Sequence, residues 1–191
     1  MDIRKLELVT DFYEFTMSNG YFSKHMNDKI AYFDVFFRKI PDNGGYVIFA
    51  GLEQIIDYIC NLKFEDKDIE YLRSQNKFSN DFLNYLKNFK FTGDIYSVRE
   101  GTVVFPNEPL ITVRAPIIEA QILETMLLLL INHQSLIATK ASRIVNAAQG
   151  KTVMEFGARR AHNIDAAVYG ARAAIIGGCT RHILYFNCTK I

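Results

Sequence analysis

The sequence predicts an α/β protein, and three stretches carry that prediction. From Lys90 to Pro116 apolar and polar side chains alternate, cut by Gly93, Gly101, Pro106 and Pro109, the pattern of a small antiparallel meander. From Pro116 the alternation gives way to a long run of helix formers that ends at Gly150. Residues 152–176 then read as strand, loop and Ala-rich helix, the unit from which a parallel sheet or a (β/α) barrel is built.

The remaining elements follow in chain order. In "LVTDFYEFTMSNGYF", Thr10 or Asp11 is the expected N-cap and Glu14 completes a capping box. Phe12, Tyr13, Phe15 and Met17 follow at helical spacing, and Gly20 reads as a stop signal; the helix is expected over about residues 11–26. Ile30–Ile40 is aromatic and β-branched and runs into "PDNGG", hence strand and turn. A short apolar stretch leads into a helix expected to bury Leu52, Ile55, Ile56 and Ile59. "EDKDIEYLRSQ" and "SNDFLNYLKNF" pair acidic starts with amphipathic spacing and are expected as surface helices. The long helix is expected to break near Asn132–Ser135. "KTVMEFG" is expected as a buried strand. The following helix is capped by Asn163 or Asp165 and ends at Gly177–Gly178.

The expected organisation is an α+β domain over residues 1–115, a helical connector over 116–150 and the start of an α/β barrel over 151–191. A barrel takes about 250 residues. Only 40 follow Lys151 (191 − 151), so the barrel is expected to be incomplete.

Composition removes several function classes. The net charge of +1 over 191 residues argues against nucleic-acid or anionic-membrane binding by a global field, so any anion site is local. Ile122–Ile131 is the most apolar run, but it has ten residues and holds Glu124, against about 20 for a membrane span. The N-terminus lacks the apolar core of a signal peptide. Cys60, Cys179 and Cys188 have no metal-ligand spacing and are expected as reduced thiols in a cytosolic protein.

Three clusters carry candidate chemistry. In "GARRAH", Arg159, Arg160 and His162 leave the carboxyl end of a strand just before a helix start, where paired guanidinium forks make a local anion site. The same arginines read equally as surface residues paired with Asp or Glu. In "TDFYEF", Tyr13 offers a face to a flat ring and Asp11 binds a hydroxyl or merely caps the helix. In "FFRKI", Arg38 and Lys39 reach a phosphate or are solvated edge charges. Gly177–Gly178 would admit a phosphate close to the backbone or simply ends a helix. No P-loop, GxGxxG, HExxH or CxxC occurs, and His25, His133 and His182 have no metal-ligand company.

Five ordered blocks carry a resemblance. "LVTDFYEFTMSNGYF", "FDVFFRKIPDNGGYVIFAGLEQ", "FTGDIYSVREGTVVFPNEPLITVRAPIIEAQILET", "LLINHQSLIATKASRI" and "EFGARRAHNIDAAVYGARAAIIGG" closely resemble successive blocks of nicotinate phosphoribosyltransferases, from about Leu8 to Cys179. The resemblance implies an N-terminal α+β domain followed by an irregular TIM-like barrel, in a cytoplasmic homodimer with shared sites. It implies an ATP-dependent reaction, with Mg²⁺, that joins nicotinate to 5-phosphoribosyl-1-diphosphate in NAD salvage through a phosphorylated histidine. It assigns Tyr13 to stacking on the pyridine ring, and Arg159 and Arg160 to the nicotinate carboxylate and a phosphate. Residues 181–191, "RHILYFNCTKI", depart from the family pattern, where a Gly-Thr-Ser type phosphate loop and later the phosphohistidine segment are expected. The chain is therefore expected to be a prematurely ended or frameshifted product of such a gene, with no catalytic residue of its own. A related quinolinate or nicotinamide enzyme, or a catalytically incompetent fragment, are the alternatives.

Overall fold

In the computed structural model, which describes residues 5–184, α1 (Phe12–Ser23) leads to β1 (Ile30–Val35), β2 (Val47–Ile48) and α2 (Leu52–Asn61). The helices α3 (Asp66–Ser74) and α4 (Asn80–Lys87) precede β3 (Asp94–Ser97), β4 (Val103–Val104) and β5 (Ile111–Pro116). After α5 (Ile117–Ile122) and α6 (Glu124–Ala147) come β6 (Met154–Glu155), α7 (Ile164–Ile176) and β7 (Arg181–His182). The α/β class stands. The residues divide into two compact units, each drawn from segments on both sides of residue 115: Met1–Asp34, Ile56–Tyr96 and Thr112–Leu127 in the first, Val35–Ile55, Ser97–Ile111 and Leu128–Ile191 in the second.

The first unit is built on aromatic packing. Phe15 meets Phe64 edge-on at 5.9 Å, and Phe64 meets Phe89 at 5.6 Å. Phe82, Leu83 and Leu86 of α4 and Ile69 and Leu72 of α3 are buried, as the amphipathic spacing predicts. The starts of both helices are legible. Ser79 Oγ accepts from Phe82 N–H at 3.2 Å, and Glu65 and Asp68 form a reciprocal capping box.

At α1 the expected box does not form. Asp11 is the N-cap without a side-chain bond. Glu14 is fully buried and accepts instead from Thr10 Oγ1 and from the Thr125 N–H and hydroxyl. Burial pushes its carboxyl above the ordinary value against those donors. Gly20 does not stop α1, which ends at Ser23, with His25 at φ 54° supplying the reversal. The face of α2 is also shifted from expectation. Gln54, Ile55 and Tyr58 are buried whereas Ile56 is 49% exposed.

The strands do not form a simple meander. β5 lies between β1 and β3, while β4 leaves that sheet and pairs antiparallel with β2, Val47 opposite Val104. β1 ends at Val35, five residues earlier than expected.

In the second unit, side chains of α6 complete the hydrogen bonding of the β2 segment. Ile48 N–H donates to Thr139 Oγ1 at 2.9 Å and Ala50 N–H to Ser135 Oγ at 3.0 Å. This is why the expected break at Asn132–Ser135 is absent. His133, Gln134 and Ser135 reach Ala166 O, Gln54 Oε1 and the Ala50 backbone, while Thr139 Oγ1 also donates to Ser135 O within the helix. The interruption falls at Leu123, between α5 and α6. Ile117–Ala147 is long and apolar enough to cross a membrane by length and composition, but half of its most apolar window is buried inside the protein.

Ala138 of α6 packs with Ala173 of α7, Ile48 and Ala50. The end of α7 sits so close that a Cβ at Gly177 would collide with the Ala138 carbonyl oxygen. Gly177 thus serves helix packing. Gly177→Ala is expected to cost about 1–3 kcal/mol as an overpacking change. A fall in the urea midpoint at unchanged m would show it, and an unchanged midpoint would refute it. Among the described residues Cys60 and Cys179 are free; Cys188 lies outside them.

Candidate anion-binding site

The site forms where β6 leaves for α7. β6 pairs parallel with β7, Met154 opposite Arg181 and Glu155 opposite His182, so β6–α7–β7 is a βαβ unit. Only two residues of the expected buried strand are extended, and Met154 and Phe156 are 44% and 56% exposed. The chain then tightens. Gly157 N–H donates to Glu155 Oε1, and Arg160 N–H donates to Gly157 O at 2.7 Å across a 3-10 turn, Ala158–Arg160. Asn163 Oδ1 accepts from Ala166 N–H at 2.8 Å and starts α7. These local bonds hold "ARRAH" between the strand end and the helix start.

Arg160 and His162 line one cavity of about 460 Å³ together with Glu155, Asn132 and His133. Small residues of α7, among them Ala166, Ala167 and Gly170, leave it room. His133 Nε2 lies 3.3 Å from Ala166 O and ties α6 to the first turn of α7.

Arg159 and Arg160 are both exposed, and neither guanidinium has an ion-pair or hydrogen-bond partner among the described residues. This removes the reading in which they pair with local carboxylates. Arg172, by contrast, is a buried structural cation. Its Nη2 donates to Glu53 and Glu100, each at 2.6 Å. Burial alone would raise the Glu100 carboxyl; Arg172 and the N–H groups of Gly51 and Leu52 outweigh it and hold the carboxyl below its ordinary value.

The other candidates lie elsewhere. Arg159 is not on the cavity wall. Arg38 is exposed in the segment after β1, also outside the cavity. Asp11 and Tyr13 belong to the first unit. Asp11 N–H donates to Thr125 Oγ1 at 3.1 Å. Tyr13 is 42% exposed, and a hydrogen bond to Glu124, aided by burial, pushes its phenol up to about 12. The phenol therefore stays protonated at neutral pH, able to donate a hydrogen bond.

Sequence reading missed Asn132, His133 and Glu155. A signal existed for the helical pair. Asn132, His133, Leu136 and Ile137 share one face at spacings of four, and all four line the cavity. Glu155 had no such signal, because its place depends on the turn at Gly157. No three His, Cys, Asp or Glu side chains assemble as a metal site among the described residues.

Known proteins match this architecture. Residues 8–132 match the nicotinate phosphoribosyltransferase (NAPRTase) N-terminal domain family. Nicotinate phosphoribosyltransferase of Bacillus subtilis is 49% identical over 173 residues, covering 91% of this chain and 35% of that protein. The enzyme pncB2 of Mycobacterium tuberculosis is 46% identical over 171 residues, covering 90% and 37%. The crystal structure of human nicotinic acid phosphoribosyltransferase superposes with a TM-score of 0.85 at 30% identity, covering 92% of this chain and 36% of that one. A nicotinate-nucleotide pyrophosphorylase from Pyrococcus furiosus, at 24% identity and a TM-score of 0.73, shares the fold. The chain spans about a third of the length of the curated relatives it matches. With residues 8–132 matching the family's N-terminal domain and nearly half of the aligned residues of a relative identical, the chain belongs to the nicotinate phosphoribosyltransferase family.

Proposed function

We propose that this chain serves the nicotinate phosphoribosyltransferase reaction. The pyridine nitrogen of nicotinate attacks C1 of 5-phosphoribosyl-1-diphosphate. A C–N bond forms, the C–O bond to diphosphate breaks, and nicotinate mononucleotide and diphosphate leave. The observation that carries this reading is the pair of partnerless arginines at the strand end, one of them on the wall of a cavity, in a chain of this family. A phosphate or carboxylate would satisfy such guanidinium forks with charge-assisted bonds. Arg160 and His162 would hold the anion in the cavity, and Arg159, outside it, would add field. By family resemblance Tyr13 would stack on the pyridine ring, and Asp11 and Arg38 are substrate-contact candidates outside this cavity. ATP dependence through a phosphohistidine, a homodimeric assembly and a cytoplasmic location belong to the proposal by family. Mg²⁺ would accompany ATP and diphosphate, again by family.

Calorimetric titration of the 191-residue chain tests this. Nicotinate and 5-phosphoribosyl-1-diphosphate are each expected to bind. Quinolinate and nicotinamide are expected to bind at least tenfold more weakly, because an anion site loses a charged contact to nicotinamide and crowds a second carboxylate. Equal affinity for nicotinamide would overturn the choice of substrate. Binding without turnover in the presence of ATP would limit the chain's part to substrate capture.

A further inference from the structure

The anion cavity contains one carboxylate, and its bonding is half complete. Glu155 Oε1 accepts from Gly157 N–H, whereas Oε2 is buried with no hydrogen-bond partner. A buried acceptor without a donor is costly, and a buried anionic one more so, so the group calls for a donor that the described residues do not supply. Its position is not a side-chain accident. The carboxylate folds back over Gly157, where a Cβ would stand 2.7 Å from Oε1, so the glycine clears the space the carboxylate occupies. The same cavity presents Arg160. A ligand that suits both carries an anionic group and a hydrogen-bond donor such as a hydroxyl. A bare phosphate meets only the arginine and is repelled by the glutamate. A neutral polyol meets only the glutamate.

We propose that Glu155 is a specificity-determining residue that accepts a hydroxyl of a sugar phosphate whose phosphate pairs with Arg160. The cavity thereby selects phosphorylated sugars over simple phosphates. The inference rests on the phosphoribosyl reading above and adds to it the residue that reads the sugar.

The test compares ribose 5-phosphate, n-pentyl phosphate and inorganic phosphate by titration calorimetry on the full chain and on Glu155→Gln. The glutamine keeps an acceptor for Gly157 N–H and loses the second one. Wild type is expected to bind ribose 5-phosphate about tenfold more tightly than pentyl phosphate, the order of one hydrogen bond to a charged group. In Glu155→Gln that preference is expected to vanish, while inorganic phosphate binds as well or better because a like charge has gone. Glu155→Asp, which retains an acceptor, is expected to restore part of the preference. A preference unchanged in Glu155→Gln overturns the proposal and leaves the phosphoribosyl reading intact. Loss of all three ligands to the same degree assigns Glu155 a structural part only and overturns it too. If wild type binds none of the three, both readings fall. Should Glu155→Gln not fold, the comparison of ribose 5-phosphate with pentyl phosphate on wild type decides, and equal affinities refute the proposal.

Discussion

Replacing Arg172 with methionine is expected to lower the stability of the chain by about 3–5 kcal/mol, the usual cost of breaking a buried ion pair from one side. The substitution removes the donors that hold Glu53 and Glu100 at 2.6 Å. It strands Glu100, whose side chain is 20% exposed and also receives Gly51 N–H at 2.6 Å and Leu52 N–H at 3.0 Å. Those two bonds start α2, so the loss reaches the helix terminus as well as the pair. At roughly 2–4 °C per kcal/mol for a chain of this size, the melting temperature should fall on the order of 10 °C. The double variant Arg172→Met, Glu100→Gln keeps an acceptor for the helix start and removes the unpaired charge. It should regain part of the loss, so the two changes are not additive. A single-variant cost below about 1 kcal/mol would mean that the pair is effectively solvated.

The same pair sets a pH dependence. The folded carboxyl of Glu100 is held below its ordinary value of 4.5, so its contribution is present above pH 4.5 and is lost as pH falls through the folded value. Arg172→Met should flatten the acid limb of the stability profile.

Arg160→Ala is expected to weaken binding of 5-phosphoribosyl-1-diphosphate roughly 10- to 100-fold, the range of a lost charge-assisted contact or fork. Folding stability should change by less than about 0.5 kcal/mol, since the exposed side chain has no protein partner to lose. Arg160→Lys should recover only part of the affinity, because an ammonium carries the charge without the planar fork. Arg159→Ala should cost less, since Arg159 is off the cavity wall. The combination of unchanged stability and lost affinity separates a ligand contact from a structural one; unchanged affinity in Arg160→Ala would remove it from the site.

Much of the local structure was legible because its causes lie within a few residues. Asn163, an expected cap, starts α7 through a bond to the third residue on, and a glycine pair ends it. Phe82, Leu83 and Leu86 repeat at helical spacing and are buried. The misreadings share one feature: a distant group claimed the residue. Glu14 should have boxed its own helix start, but its carboxylate is shared between the Thr10 hydroxyl and Thr125, 111 positions away. A break was expected up to Ser135, which instead serves the β2 segment, 85 positions away, as does Thr139 one turn on, 91 positions away. β4 followed β3 in a pattern of alternation, yet pairs with β2, because alternation states which face is buried and not which neighbour covers it.

The candidate site divides along the same line. The order of residues alone set two adjacent arginines and a histidine between a strand and a capped helix, since turn, cap and periodicity are near-neighbour properties. Only the tertiary structure decided which of those cations share a cavity and which carboxylate stands among them. It put Arg160 and His162 with Glu155 and His133, and gave Arg172 to two glutamates 72 and 119 positions away. Charge pairing in a folded chain depends on distance in space and on burial, and neither is a property of position along the sequence.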